Sequence, residues 1–463
     1  MLKVTAALHA LVACSALAQP LTPVQTAEID KIVARELAID SVPSAEIAIV
    51  RDGRTVFDKG YGIANDGLPA RTNLPYQIAS NSKQFTAMAL LLLEDEGKLS
   101  LDDHVSKFLP GITGGDRITI RQLLSHTSGI QDFWPQDYSF EAMSHPTTPQ
   151  HIVDLWAKKP LDFQPGDQWQ YSNTGYVAAG MIAEKVSGEP LVPFLQKRIF
   201  KPLGMTTVVD QDETNTPKFP AGYGRYALGP IRKVTPPARG WLYAAGELSM
   251  SAEDLAKWDI ARIDRSLVPA DDWQAQETPV KLNNGKDTGY GLGVSVKSSP
   301  RRVISHTGEA VGFLSSNSVY PDQKAAVVVL TNSWSGSAYR RIARDIANVV
   351  LPPATTQDAV ALAQAKRARA VYDELRAGKL DRSQLTENAN FYFTPVVIHD
   401  YGTSLGPLGE PTSFEPSGDP ALRGGFVIQG YTIKYPGRTL NLSTFYEPGA
   451  NGRIEQFLVT PGE

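Results

Sequence analysis

Residues 78–88 read IASNSKQFTAM, which puts Ser80 three residues before Lys83 at the start of an apolar run. On a helix, residues three apart lie on one face, so the Lys83 amine can reach the Ser80 hydroxyl. A serine needs a nearby base to become a good nucleophile, and burial lowers a lysine pKa enough for that task. The spacing, which occurs once in the chain, suggests a catalytic pair. The alternative is a serine that caps the helix, followed by a lysine on the protein surface, which would give the same spacing.

A second motif, Tyr171-Ser172-Asn173, stands just before a helical run. In an extended or loop conformation, residues two apart point the same way, so Tyr171 and Asn173 share a side. A tyrosine hydroxyl can relay a proton, and an asparagine amide can bind a substrate carbonyl. The alternative is a packing tyrosine beside an asparagine that caps the helix.

A third motif, His306-Thr307-Gly308, is predicted at the end of a strand and before another strand. His306 and Gly308 would share a face, and the glycine would let a substrate lie close to the backbone. Strand N–H groups could then stabilise an oxyanion. The alternative is a hairpin that contains a histidine by chance.

The three motifs together resemble those of the serine β-lactamase and penicillin-binding-protein superfamily. Tyr-Ser-Asn and His-Thr-Gly stand where other branches carry S-D-N and K-T-G. The likeness is greatest to the class C-like branch, which holds D-Ala-D-Ala carboxypeptidases, D-aminopeptidases (peptidase S12-like) and family VIII esterases. Further stretches resemble this family across about residues 25–350: LLSHTSGI at 123–130, the block 163–176, PLGM at 202–205 and AAGELS at 244–249.

The resemblance implies a role for each motif residue. Ser80 would attack a carbonyl and form an acyl-enzyme, while Lys83 and Tyr171 share the acid and base work, with the identity of the base left open. Asn173 would bind the acyl side chain. The substrate side of the third motif would be His306, Thr307 and Gly308, and the oxyanion hole would be the backbone N–H groups of Ser80 and Glu309.

Departures from the family pattern limit the activities that we expect. Class C β-lactamases usually carry lysine at the position of His306, and a histidine is mostly neutral near pH 7, so it binds a β-lactam carboxylate less well. No E-x-x-L-N segment is present to hold a deacylating water. We therefore expect a D-Ala-D-Ala carboxypeptidase, D-amino-acid peptidase or esterase with at most weak β-lactamase activity. The alternative is a non-hydrolytic sensor or scaffold that binds β-lactams or peptides.

The order of apolar segments predicts an α+β fold. Strands at both ends of residues 22–351 flank a helix-rich middle, which favours an antiparallel sheet flanked by helices plus an all-helical cluster, as in β-lactamases and transpeptidases. Residues 352–358 (PPATTQD) read as a linker. Residues 359–463 predict helices and then three strands at 426–434, 439–446 and 454–459, a small α+β accessory domain that resembles NTF2-like or SnoaL-like folds.

The N-terminus has the three parts of a secretory signal. A basic start and an apolar stretch are followed by Ala16-Leu17-Ala18, which predicts a signal peptide at 1–18 and a periplasmic or secreted protein. Cys14, the single cysteine, would be removed with it; in a competing interpretation it is a lipobox cysteine that carries a lipid anchor. No later apolar run is long enough to span a bilayer.

Composition excludes several function classes. The chain has 463 residues, 42% of them hydrophobic, and a net charge of −4, without the basic stripe of a nucleic-acid-binding protein. His126 is expected to be a structural hydrogen bonder, and His145 and His151 have no zinc-site spacing. We expect no metal and no cofactor. The expected partner is a small-molecule or peptide substrate, cell-wall peptide included; the sequence gives no oligomeric state.

Overall fold

The computed structural model describes residues 20–136, 138–226, 229–298, 301–351, 356–449 and 451–462, without the side chains of 356–362 and 419. The predicted signal peptide with Cys14, and residues 352–355 of the predicted linker, lie outside the described residues. The chain divides into two compact units, Met1–Pro352 and Pro353–Glu463. Helix α10 begins at Thr356, inside the predicted linker 352–358, because the polar residues there suit a first helical turn as well as a loop.

Strands of the first unit form one large sheet and two small ones. Their bounds are β1 Ser44–Arg51, β2 Arg54–Asn65, β3 Leu68–Pro69, β4 Tyr76–Gln77, β5 Val209–Asp210, β6 Tyr223–Gly224, β7 Arg232–Lys233, β8 Leu248–Met250, β9 Ser295–Lys297, β10 Val303–Ala310, β11 Phe313–Tyr320 and β12 Ala325–Thr331. The large sheet has seven strands in the order β3-β2-β1-β12-β11-β10-β9, with every neighbouring pair antiparallel. This confirms the predicted α+β class.

Helices cover both faces of this sheet. The bounds in the first unit are α1 Pro23–Asp40, α2 Lys83–Asp95, α3 Ile120–Leu124, α4 Pro149–Ile152, α5 Asn173–Ser187, α6 Leu191–Leu195, α7 Ala252–Asp264, α8 Ala270–Gln276 and α9 Ala338–Val350. One face packs against α1 and α9, whose Ile32 and Ile346 share a core with Ile47 and Val329. The continuous apolar run of β12 therefore lies between two helical layers rather than alternating with polar residues.

The other face supports the helical cluster that carries the site. Residues 83–93 of α2 are all buried, which is expected for a helix that is apolar on every side. Phe85 packs against Phe200 and Trp258, and the side chain of Gln84 bonds the buried Trp258 and Arg262. Helix α2 is thus fixed from several directions, and so is the turn that precedes it.

The second unit is a four-stranded antiparallel sheet with helices. Its bounds are α10 Thr356–Arg376, α11 Glu387–Tyr392, α12 Pro395–Leu405, β13 Ser413–Arg423, β14 Phe426–Tyr435, β15 Arg438–Tyr446 and β16 Ile454–Pro461, with the sheet in that strand order. Strand β13 was not predicted, because Pro416 and Pro420 argue against a strand; it lies at the sheet edge, where proline is tolerated. The likeness to NTF2-like folds stays a prediction.

Two further predictions of local structure were wrong. Residues 290–296 were predicted as a strand, yet only Ser295–Lys297 is one, because Gly289 and Gly293 have φ of 67° and 78° and turn the chain. The strand that carries the third motif was predicted to end at residue 306. The whole motif instead lies inside β10, which continues to Ala310.

Candidate active site

Ser80 lies in a tight turn that two strands hold in place. Ala79 has a left-handed φ of 49°, and residues 79–82 form a single 3₁₀ turn that leads into α2. The Ile78 N–H donates to the Leu248 carbonyl at 3.0 Å, and the Ser315 hydroxyl donates to the Ile78 carbonyl at 2.8 Å. Strands β8 and β11 therefore fix the backbone just before the half-buried Ser80 side chain.

The two residues after Ser80 hold this turn rather than face the cleft. The Asn81 side-chain amide donates to the Ser315 hydroxyl at 2.8 Å, and the Leu248 N–H donates to the Ser82 hydroxyl at 3.1 Å. Both side chains are buried. Their structural role depends on strands far away in the chain, so the sequence alone does not show it.

The Lys83 amine contacts Ser80, Asn173 and a backbone carbonyl. Its Nζ lies 3.0 Å from Ser80 Oγ, 2.8 Å from Asn173 Oδ1 and 2.6 Å from the Ala245 carbonyl oxygen. Complete burial lowers the pKa of Lys83 to about 7, although Asp132 opposes this shift. A neutral amine has two hydrogens for the two carbonyl oxygens and one lone pair left for the Ser80 hydroxyl.

Tyr171 faces the same hydroxyl. Its ring centroid lies 4.8 Å from Lys83 Nζ. Burial raises the pKa of Tyr171, while the nearby Ser80 hydroxyl acts in the opposite direction. The Tyr171 phenol is therefore protonated at neutral pH and can donate a hydrogen.

His126 supports this segment from behind. Its Nδ1 accepts the Ser172 backbone N–H at 3.1 Å, and its ring centroid lies 4.2 Å from that of Tyr171. Burial holds the pKa of His126 well below its usual range, so the ring is neutral. His126 is thus a hydrogen-bond acceptor that positions Tyr171, which is the structural role predicted for it.

Asn173 is held by a residue that sequence reasoning missed, Asp132. The Asp132 carboxyl group accepts the backbone N–H groups of Trp134 and Asn173, both at 3.1 Å, and the Asn173 side-chain amide at 3.2 Å. Burial raises the pKa of Asp132. Its only sequence signal is its place two residues after LLSHTSGI, in the polar and aromatic stretch QDFWPQ.

A second missed element is the carbonyl that Lys83 contacts. Ala244, with a φ of 54°, donates its N–H to Glu247 Oε2 at 2.5 Å and accepts the Thr86 hydroxyl at 2.7 Å. These bonds turn the Ala245 carbonyl toward Lys83. The AAGELS block at 244–249 resembles the family, but nothing in its sequence indicates a backbone acceptor.

His306 points inward from β10 and is neutral. Its Nδ1 lies 2.5 Å from the Thr307 carbonyl, which can only accept, so the Tyr290 hydroxyl donates to Nε2 at 2.9 Å. Burial and the nearby Lys83 lower the pKa of His306 to about 3. The His306 ring is therefore neutral over the whole physiological pH range, which agrees with the neutrality expected near pH 7.

Gly308 allows the close approach of two protein segments rather than of a substrate, which corrects the sequence interpretation. A Cβ at position 308 would lie 2.0 Å from the Ile78 carbonyl oxygen and 2.3 Å from Ser315 Oγ. Side chains in strands alternate, so Thr307 and Glu309 face the cleft while Gly308 packs against the turn that precedes Ser80. The glycine sets the distance between β10 and that turn.

Gly308→Ala is therefore expected to destabilise the protein by about 1–3 kcal/mol and to lower turnover at least about tenfold, because the methyl group displaces the Ser80 turn. Urea denaturation and steady-state kinetics measure the two effects. The matched control is Gly175→Ala, where a Cβ would have 3.5 Å or more of space. Equal behaviour of the two variants would contradict the close-packing role.

The cleft beside Ser80 has a volume of about 420 Å³. Of the residues predicted for the site, those that line it are Ser80, Tyr171, Asn173, His306, Thr307 and Glu309. Lys83 lies beneath Ser80, and Gly308 does not line the cleft. The other walls come from residues that were not predicted: Asp132, Trp134, Pro135, Gln136, Gln170, Leu242, Ala245, Gly246 and Trp334.

Among the described residues, no group of three or more His, Cys, Asp or Glu side chains is arranged to hold a metal ion. No helix in the same part of the chain is long and apolar enough to cross a membrane. His145 and His151 lie outside the cleft. The His145 carbonyl accepts the Trp241 indole N–H, and the Thr148 hydroxyl caps α4 by accepting the His151 N–H.

A serine, a buried lysine and a tyrosine on this sheet and helical cluster define a serine hydrolase of the β-lactamase and transpeptidase fold. The chain belongs to the Beta-lactamase family, whose model matches residues 29–351. It is 30% identical over 301 residues to "Penicillin-binding protein 4*" of Bacillus subtilis (strain 168). The match covers 61% of this chain and 66% of that protein. The chain spans 62–70% of the length of such curated relatives.

Solved structures agree with this assignment. A D-stereospecific amidohydrolase from Streptomyces sp. has 29% identity and a TM-score of 0.59, with 68% of this chain and 96% of that chain covered. An octameric penicillin-binding protein homologue from Pyrococcus abyssi has 23% identity and a TM-score of 0.62, with 94% and 99% covered. The second likeness bears on the fold alone.

Proposed function

We propose that the protein forms an acyl-enzyme at Ser80 and hydrolyses an amide or ester bond of a small D-amino-acid or peptide substrate. The observation that carries this proposal is the position of Lys83, which lies 3.0 Å from Ser80 Oγ and has a pKa of about 7. A base whose pKa lies near the working pH is the most effective at taking a proton. The sequence similarity to a D-stereospecific amidohydrolase supports the substrate class.

In the proposed first step, neutral Lys83 accepts the Ser80 hydroxyl proton while Ser80 Oγ bonds to the substrate carbonyl carbon. The backbone N–H groups of Ser80 and Glu309 bind the oxyanion. The carbonyl then re-forms, and the leaving amine or alkoxide departs with a proton from Tyr171, which Lys83 restores. Water then attacks the carbonyl carbon of the acyl-enzyme, the proton transfers run in reverse, and the acid is released as the Ser80 hydroxyl re-forms. Lys83 is favoured as the base because the raised pKa of Tyr171 keeps the phenol protonated.

Weak β-lactam hydrolysis is part of the proposal. A cationic lysine would bind a β-lactam carboxylate by a charge-assisted hydrogen bond, whereas His306 is neutral and has both ring nitrogens engaged. Export stays a prediction from residues 1–18. A cell-wall peptide fits the proposed substrate class if the protein is exported.

Four substrates test the proposed function: D-alanine p-nitroanilide, a D-Ala-D-Ala peptide, p-nitrophenyl butyrate and nitrocefin. We expect kcat/KM for nitrocefin to be at least about 10-fold below that of the best amide or ester, because a charged hydrogen bond worth about 1.5–3 kcal/mol is missing. Nitrocefin as the best substrate would contradict the proposed specificity. Stable labelling by a fluorescent penicillin without turnover of any substrate would support the sensor alternative.

A further inference from the structure

The charges that face the cleft are negative. Asp132 and Glu309 both line it, and no lysine or arginine is among the described residues of its lining. Lys83 is buried under Ser80, and its amine already has three partners. His306 adds no charge. A substrate carboxylate would therefore meet repulsion without a compensating cation.

Of the two residues, Glu309 is exposed, whereas Asp132 is half-buried. The Trp334 indole N–H donates to Glu309 Oε1 at 2.6 Å, and Trp334 also lines the cleft. A carboxylate can accept about four hydrogen bonds, so one indole leaves capacity for a ligand. Asp132 differs, because three N–H groups of the protein already bond to it.

A fixed carboxylate beside an indole is suited to an ammonium group. The carboxylate accepts charge-assisted hydrogen bonds from such a group. The bond from Trp334 holds the carboxylate in place before any ligand arrives, which lowers the conformational entropy lost on binding. Lining by an anion and an aromatic ring, without a cation, favours an amine over a carboxylic acid.

We propose that Glu309 is a specificity residue that binds an ammonium group next to the scissile carbonyl, so that the enzyme prefers acyl groups with a free α-amine. This inference rests on the proposed function, in which the Glu309 N–H binds the carbonyl oxygen. The Glu309 side chain projects from the Cα bonded to that N–H group, on the cleft face of β10. An α-ammonium, one carbon from that carbonyl, is therefore within its reach.

A preference for a free α-amine makes the protein an aminopeptidase or amidase rather than a carboxypeptidase. Among the activities that the fold supports, a D-aminopeptidase or D-amino-acid amidase retains the free amine beside the cleaved bond. A D-Ala-D-Ala carboxypeptidase instead needs a free carboxylate on the leaving side, and the described lining offers no cation to hold it.

Three substrates that differ only at the amine test the inference at pH 7. They are D-alanine p-nitroanilide (cationic), its N-acetyl derivative (neutral) and its N-succinyl derivative (anionic). We expect kcat/KM to fall in that order, with the ammonium substrate favoured over the acetylated one by about 5-fold or more, as for a half-exposed ion pair. Glu309→Gln is expected to lower this ratio about 5-fold, mainly through KM, and Glu309→Asp is expected to retain part of it.

The control variant is Asp116→Asn, which removes an exposed carboxylate outside the cleft lining and is expected to keep the wild-type ratio. Added salt should lower the ratio in the wild type and not in Glu309→Gln, which tests the charge without relying on the variant's fold. An unchanged ratio in Glu309→Gln, or a preference for the succinylated substrate, would overturn the inference while Ser80-dependent turnover leaves the proposed function intact. No turnover of any of the three would overturn the inference, and it would overturn the proposed function as well if the D-Ala-D-Ala peptide and p-nitrophenyl butyrate are not hydrolysed either.

Discussion

Replacing Ser80 with alanine is expected to lower hydrolysis of every substrate by at least about 10³-fold, because no acyl-enzyme can form. The described contacts of the Ser80 side chain are with Lys83 and Tyr171, whereas the turn itself is held through Ile78, Asn81 and Ser82. The alanine variant should therefore fold normally. Steady-state kinetics and mass spectrometry of the acyl adduct measure the loss.

Ser82→Ala is the control for this prediction. It removes a neighbouring hydroxyl that is buried and accepts the Leu248 N–H, so it should cost about 1–3 kcal/mol of stability while acylation at Ser80 persists. Turnover that survives in Ser80→Ala, or an adduct found on Ser82, would refute the assignment of the nucleophile.

Lys83→Met is expected to slow acylation by about 10²–10⁴-fold, since the general base is lost while a side chain of similar length still fills the buried space. In the wild type, the acylation rate should rise with pH, because only the deprotonated amine accepts the Ser80 proton. With a pKa of about 7, roughly one tenth of the Lys83 amines are neutral at pH 6 and roughly nine tenths at pH 8. Stopped-flow acylation from pH 5 to 9 should show this inflection, and the Met variant should lack it.

Tyr171→Phe separates the two candidate bases. If Lys83 is the base, this variant keeps the inflection near pH 7 and is slowed through poorer protonation of the leaving group. An inflection that persists in Lys83→Met and disappears in Tyr171→Phe would assign the base to Tyr171 instead.

The sequence predicted the parts of the site whose chemistry requires short spacing. Ser80 and Lys83 must share a helix face, and Tyr171 and Asn173 must share one side of a loop, so each pair is visible within a few letters. The continuous apolar runs of α2 and β12 likewise indicated burial and strand or helix type. That the site residues meet at one cleft could be inferred only through the family resemblance.

Contacts between distant segments were not predictable from the letters. The carboxyl group of Asp132 and the Ala245 carbonyl reach Asn173 and Lys83 through tertiary packing, which no local spacing encodes. Gly308 shows the same limit, because its letter indicates a close approach but not the partner, which is the Ile78 carbonyl rather than a substrate. Backbone φ values explain why residues 290–296 turn instead of forming a strand.

The turn before Ser80 and the rim of the cleft differ in how many partners they have. The turn is tied through backbone and buried side chains to β8 and β11, so few substitutions are compatible with it. Rim residues such as Trp134, Gln136 and Trp334 come from connecting segments outside the helices and strands. Exchange of rim side chains can therefore change the substrate range while Ser80 keeps its position. Laboratory evolution of new substrate ranges should concentrate its accepted mutations there.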